Sequence, residues 1–176
     1  MIDDLKNGAT IEEALVLTLL DLANQLNKLG EDVAANAGLT TQQWLVLLQI
    51  ADDPNFPIPL YMPRRTQSAG TLASDIALAR GVSRASVSVI VTQLMKLGLV
   101  RQEEEQGDRR HKRLFLTESG QQTIAALEED RKKANRELFV DLDESELDAL
   151  LVSLRKCLGR LWAVGNAGVL YAKRGL

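Results

Sequence analysis

Residues 107–117, Gly-Asp-Arg-Arg-His-Lys-Arg-Leu-Phe-Leu-Thr, gather the side chains best suited to holding a polyanion into one short run. Arg109 and Arg110 follow a Gly-Asp turn, and Lys112 and Arg113 open a strand expected over 112–116, which leads to a helix-starting Thr117. Guanidinium groups at a turn can grip phosphate oxygens in bidentate fashion, and lysine adds a point charge. His111 reads as a phosphate or solvent contact rather than as a ligand. Upstream, residues 81–100, Gly-Val-Ser-Arg-Ala-Ser-Val-Ser-Val-Ile-Val-Thr-Gln-Leu-Met-Lys-Leu-Gly-Leu-Val, read as a tight turn, a helix capped by Ser83 and the start of another strand.

With Val87, Ile90 or Val91, and Leu94 turned inward, that helix shows Arg84, Ala85, Ser86, Ser88, Val89, Thr92 and Gln93 on its outer side. A second helix of a helix-turn-helix enters the major groove with such a face. Its small residues allow close approach. Arg84 can read guanine or grip phosphate, Thr92 and Gln93 can reach bases or backbone, and Ala85 and Val89 can meet thymine methyl groups. Ser83 joins the set at the helix start. An amphipathic helix with a serine-rich solvent face is the alternative, and the adjoining basic hairpin weighs against it.

The elements that must hold these residues are legible in periodicity. Ile11, Leu15, Leu19, Leu22, Leu26, Leu29 and Val33 form one stripe on a helix spanning about 10–36, with Glu12, Asp21, Asn24 and Lys28 opposite. Thr40 or Thr41 caps a short helix expected to bury Leu45, Leu48 and Trp44. Helical spacing resumes at Leu72, Ala73, Ile76 and Ala77 and stops before Gly81. Thr117 opens a long helix carrying Ile124, Leu127, Ala134, Leu138 and Phe139, its capping box weakened by Gly120 where Glu is preferred. Asp143-Glu-Ser-Glu146 is a better box, and opens a last helix with Leu147, Leu150, Leu151, Leu154, Leu158, Leu161 and Trp162 on one side. All four prolines lie in residues 52–70, which favours an extended path, and Phe56, Ile58, Leu60, Tyr61 and Met62 suggest that the segment is packed down. Arg64 and Arg65 at its end are candidate phosphate contacts.

Charge is unevenly spread. Residues 1–63 hold 2 Lys+Arg against 9 Asp+Glu, residues 64–113 hold 10 against 5, and residues 114–176 hold 9 against 10. The net charge of −3 therefore hides a basic middle, and a local field is what polyanion binding needs. The 176-residue chain, 45% hydrophobic, can bury a sizeable core. One Cys and one His offer neither an internal disulfide nor a zinc set, so no metal or cofactor is expected. Cys157 reads as a small core or interface residue. Glu103 to Glu105 are expected to face solvent. No run has the layout of a signal peptide or a membrane span, so a cytoplasmic protein is expected. Nor is there a glycine-rich phosphate loop or nucleophile motif, which argues against an enzyme.

From Leu72 through Gly120 the sequence resembles the MarR family of transcriptional regulators. Leu72-Ala73, Gly81-Val82-Ser83, Gly98-Leu99-Val100, Asp108-Arg109-Arg110, Leu116-Thr117 and Gly120 follow one another in the family's order. The resemblance implies that Arg110 enters the minor groove with Asp108 orienting its guanidinium, while Arg109, Lys112 and Arg113 serve phosphates. It also implies a homodimer joined through the N- and C-terminal helices. A small aromatic or phenolic effector would sit between the dimerisation and DNA-binding parts. Residues 52–70 depart from the pattern by being longer than the usual connection.

The expected fold is all-α with a small two-stranded β-wing. Residues 1–51 supply N-terminal dimerisation and support helices, 52–70 a proline-rich insert, 71–120 a winged helix-turn-helix, and 121–176 a linker with C-terminal dimerisation helices. Such a chain would act as a sequence-specific repressor on an inverted-repeat operator in double-stranded DNA, released by its effector. A winged module that only contacts proteins is the rival, and the arginines of the wing speak against it.

Overall fold

The computed structural model describes residues 10–57, 70–105 and 108–172, with side chains for all of these except 105, 108–111 and 165–172. The elements, in order, are α1 (Ile11–Ala35), α2 (Thr41–Ile50), β1 (Thr71–Leu72), α3 (Ala73–Arg80), α4 (Arg84–Lys96), β2 (Val100–Glu105), β3 (Asp108–Leu116), α5 (Glu118–Leu138) and α6 (Glu144–Ala172).

The apolar stripe of residues 11–33 forms a single helix, and Thr10 caps it by accepting from the Glu13 amide at 3.2 Å. Thr40, rather than Thr41, caps α2. Its hydroxyl accepts from the Gln43 amide at 3.2 Å while the Gln43 carboxamide accepts from the Thr40 amide at 2.9 Å, a reciprocal box. Thr41 instead is buried and donates to the Asn27 carbonyl of α1 at 3.0 Å. Helix α2 buries Trp44 and Leu48 as expected, but Leu45 is only half-buried and Val46, Leu47 and Ile50 fill the core instead. The reason is that α2 is covered on more than one side, by α1, α4, α5 and β3, so the single-stripe rule for a surface helix does not hold.

Two expectations about the sheet are corrected. The wing has a third strand, because Thr71 and Leu72 pair with Leu114 and Arg113, giving the order β1-β3-β2. Leu72 therefore belongs to a strand and caps α3 with extended backbone instead of lying within that helix. Strand β3 also starts at Asp108 rather than Lys112, so Arg109 and Arg110 lie in the strand and not in the turn.

One core unites these pieces: Leu47 of α2, Ile76 of α3, Val87 and Leu94 of α4, Leu114 of β3 and Leu127 of α5 are all essentially inaccessible. Phe56 is half-buried against it, while residues 58–69, with Ile58, Leu60, Tyr61 and Met62, lie outside the described residues. Helix α5 ties back to the N-terminal half. Asp130 accepts from the Asn36 side chain at 2.8 Å, and Arg131 pairs with Asp53 at 2.6 Å.

The outer helices are different. Among the side chains described on α6 none is buried, and Leu151 and Leu161 are 46% and 68% exposed. Cys157 is exposed. On α1 the expected stripe is bare from Ile11 to Leu26, with Leu29 half-buried and Val33 in the core, and Val16, Leu17 and Leu20 on the side assigned above to polar residues are exposed as well. The first half of α1 thus carries exposed aliphatic side chains on more than one face, as a helix covered on several sides does.

Candidate nucleic-acid interface

Helices α3 and α4 are joined by a turn that the sequence dictates locally. Gly81 ends α3 with φ +64°, a left-handed conformation that glycine adopts without a Cβ penalty. Val82 N then donates to the Ala77 carbonyl at 3.1 Å, closing the end of α3. Ser83 returns to extended backbone and caps α4, its hydroxyl accepting from the Ser86 amide at 3.0 Å and lying 2.7 Å from the Ser86 hydroxyl. Two helices and a three-residue turn result.

On α4 the inward set is Val87, Val91 and Leu94, all buried, with Ile90 half-buried. Ser83, Arg84, Ala85, Ser86, Ser88, Val89, Thr92 and Gln93 are all exposed, and Val89 is 58% exposed despite being a β-branched aliphatic. The Thr92 hydroxyl donates to the Ser88 carbonyl at 2.8 Å, which leaves its two lone pairs and its methyl for outside contacts. Gln93 accepts from the Gln43 side chain at 3.0 Å, so α2 reaches the outer face of α4. A second glutamine, Gln42, accepts from Arg80 of α3 at 2.5 Å. Burial depresses the Arg80 pKa, yet an arginine keeps its charge under any ordinary condition.

In the wing, Val100, Arg101, Gln102, Glu103 and Glu104 face Leu116, Phe115, Leu114, Arg113 and Lys112 in register. The register then shifts between Glu104 and Glu105, whose partner is Asp108. Arg109, Arg110 and His111 thus belong to the stretch of β3 spanned by this irregularity. Their side chains and that of Asp108 are not among those described, and Arg64 and Arg65 lie wholly outside the described residues. Lys112 is exposed. Arg113 is only half-buried and donates to the Gly70 carbonyl at 3.4 Å, so its guanidinium is turned toward β1 and braces the sheet. Arg101 was not among the expected residues. It lies 4.7 Å from the Phe115 ring centroid and pairs with Glu103, both side chains remaining exposed.

The wing is fixed to the recognition helix through the turn between α4 and β2. The Thr117 hydroxyl donates to the Gly98 carbonyl at 2.6 Å and accepts from the Gly120 amide at 3.0 Å, while the Thr117 amide donates to the Leu99 carbonyl at 3.0 Å. Gln42 and Gln43 are positioning residues that sequence reasoning missed, and Thr117, read there only as the start of a helix, also ties that helix to Gly98. The Thr40-x-x-Gln43 spacing was a visible capping signal, but nothing local pointed from it to Gln93. Among the described residues no group of three or more His, Cys, Asp or Glu could hold a metal ion, and no helix is long and apolar enough to cross a membrane.

Helix, turn, helix and a hairpin in fixed contact with the second helix define a winged helix-turn-helix. Comparison with known proteins agrees. A model of the MarR family matches residues 37–111. An uncharacterized protein of Mycobacterium tuberculosis is 30% identical over 149 residues, 85% of this chain and 93% of that protein. The transcriptional activatory protein BadR of Rhodopseudomonas palustris is 28% identical over 120 residues, 68% of this chain and 62% of BadR. The transcriptional repressor MprA of Escherichia coli is 31% identical over 96 residues, 54% of each chain. Among solved structures, AbsC, a MarR family transcriptional regulator from Streptomyces coelicolor, matches with a TM-score of 0.70 at 23% identity over 89% of this chain and 98% of its own. S. aureus MepR, solved as a DNA complex, matches with a TM-score of 0.68 at 19% identity over 86% and 98%. The chain belongs to the MarR family of transcriptional regulators, which are not enzymes.

Proposed function

We propose that the protein is a homodimer that binds an inverted-repeat operator in duplex DNA and represses transcription until a small aromatic or phenolic effector releases it. The observation that carries this reading is the outer face of α4, where Arg84, Ala85, Ser86, Ser88, Val89, Thr92 and Gln93 are all exposed beside a basic hairpin. An exposed valine among small polar residues suits contact with thymine methyl groups. Arg109, Arg110 and Lys112 add the field that draws phosphate, with Arg110 in the minor groove and Asp108 orienting it. Arg113 serves the wing chiefly as a brace.

Dimerisation is supported by the bare apolar surfaces of α1 and α6, since contiguous patches of that size are rare on a monomer. A two-fold dimer implies half-sites about 10 bp apart, or a multiple of that. The effector is supported by a largely apolar groove of about 480 Å³ between α1 and α5, lined by Leu29, Ala134 and Leu138 with Asp130, Lys133 and Glu137 at its edge. Lys133 offers a cation to an acidic ligand. The repressor sense follows MprA among the relatives, and BadR carries the opposite sense.

The test is selection of bound duplexes from a random library, followed by affinity titration against salt. A selected inverted repeat with affinity falling linearly in log salt is the expected result. Salt-insensitive or absent duplex binding sinks the reading in favour of a protein-contact module. In vitro transcription from the selected site, with and without protein, then gives the sign.

A further inference from the structure

Gln43 makes two side-chain hydrogen bonds of opposite sense. Its Oε1 accepts from the backbone N–H of Thr40 at 2.9 Å, and its Nε2 donates to Oε1 of Gln93 at 3.0 Å. The order is not arbitrary. A backbone N–H can only donate, so Gln43 must turn its carbonyl oxygen toward Thr40, which leaves its NH2 facing α4. Only the carbonyl oxygen of Gln93 complements that NH2. A donor direction fixed at the first turn of α2 is therefore passed through two carboxamides to the recognition helix. Gln93 is exposed there, and among the described residues nothing accepts from its Nε2.

We infer that Gln43 is a specificity-determining positioning residue: by holding the Gln93 carbonyl toward α2, it presents Gln93 to the major groove as a hydrogen-bond donor only. The inference rests on the DNA-binding reading above. A free glutamine reads adenine with both ends of its amide, accepting from N6 and donating to N7. With its oxygen aimed at Gln43, Gln93 donates only, which suits guanine, whose N7 and O6 both accept, or thymine O4 better than adenine, whose N7 acceptor stands beside the N6 donor that then goes unpaired.

Substitution at Gln43 inverts or removes the constraint. In Gln43→Glu the carboxylate still accepts from Thr40 N–H, since Glu is an ordinary partner in this box. It can only accept from Gln93, which must rotate its NH2 toward α2 and offer its oxygen to the groove. Gln93 then suits the amino groups of cytosine or adenine. Gln43→Ala frees both ends and restores the adenine mode. The added negative charge in Gln43→Glu lowers affinity for all duplexes alike, so base preference and not affinity is the readout.

The experiment selects and sequences duplexes bound by the full-length wild type, Gln43→Glu, Gln43→Ala and Gln93→Ala. The position that loses its preference in Gln93→Ala marks the base that Gln93 reads. Guanine or thymine is expected there for the wild type, with a shift of roughly tenfold toward cytosine or adenine in Gln43→Glu, the scale of one base contact. Thermal melting of Gln43→Glu near that of the wild type shows that the box survives. If Gln43→Glu does not fold, Gln43→Ala carries the test, and a gain of adenine supports the inference. A wild-type preference for adenine, an unchanged preference in the folded Gln43 variants, or no position sensitive to Gln93→Ala overturns the inference and leaves DNA binding standing. Failure of the wild type to bind any duplex overturns the DNA-binding reading and this inference with it.

Discussion

The backbone of Gly120, in the first turn of α5, lies directly against the carbonyl oxygen of Leu99, where β2 begins. A Cβ at position 120 would collide with that oxygen. The Leu99 carbonyl also accepts from Thr117 N at 3.0 Å, so the start of α5 and the root of the wing share one contact point. Gly120 is thus what lets Thr117 reach both Gly98 and its own helix.

Gly120→Ala should therefore destabilise the protein, although the same change inside an exposed helix ordinarily stabilises it by up to about 1 kcal/mol. Forcing a methyl against backbone that cannot give way should cost about 1–3 kcal/mol. Urea denaturation of the two proteins reads the difference, and a gain in stability for Gly120→Ala would show that the backbone at Leu99 yields to the added methyl.

That glycine shows where the sequence was legible and where it was not. Thr117-Glu-Ser-Gly120 scans as a defective capping box because its reason, the Leu99 carbonyl, is a tertiary contact with no local trace. Helix α1 was legible to within a residue because seven apolar positions repeat with the helical period. Leu72 was misplaced because a two-residue strand has no period, and its partners in β3 lie some forty residues away. The outward residues of α4 followed from the burial of Val87, Val91 and Leu94, but Gln43, fifty residues from Gln93, could not be tied to that face by spacing. Arg113 alternates correctly along β3, and what set its role was Gly70, brought close only by β1.

Asp53 should make stability depend on pH. Burial by itself would raise its pKa, but the hydrogen bond from Arg131 and the bonds from the backbone and side-chain amides of Asn55 outweigh this and hold it below its usual value. A depressed carboxylate stabilises the fold fully above its ordinary unfolded pKa, and that contribution is lost as pH falls through the folded value. Asp53→Asn should cost about 1–3 kcal/mol near neutral pH, because it leaves a mostly buried Arg131 without this partner. The gap to wild type should narrow as pH falls below the ordinary Asp range. Denaturation series at several pH values check this, and a gap that stays constant into acid would remove Asp53 as its source.

The exposed aliphatic side chains on more than one face of the first half of α1 make a prediction beyond simple dimerisation. Leu22, on the expected stripe, and Leu17, on the opposite side, are both exposed in the single chain, at 38% and 67%. If two different surfaces of a dimer cover this helix, Leu17→Lys and Leu22→Lys should each weaken association, by about 2 kcal/mol or more for burial of a lysine in place of leucine. Light scattering across a concentration series measures the shift. Dimerisation by Leu17→Lys at wild-type strength would mean that only one face of α1 is used.

Arg110 offers the sharpest test of the wing. It lies in the part of β3 spanned by the register shift, next to Arg109 and two residues from Asp108. An arginine in a minor groove is held by its shape and negative potential, and a carboxylate two residues away can keep the guanidinium planar to its target. Arg110→Ala should weaken operator binding by about 1–3 kcal/mol. Asp108→Ala should give a smaller loss in the same direction, despite removing a negative charge that would otherwise oppose DNA. That opposition of signs is the discriminating feature. If Asp108 merely adds unfavourable charge near phosphate, its removal should tighten binding to operator and random duplex alike. Gel-shift titrations at fixed salt measure both variants, and an Arg110→Ala protein with undiminished operator affinity would take the wing out of DNA recognition.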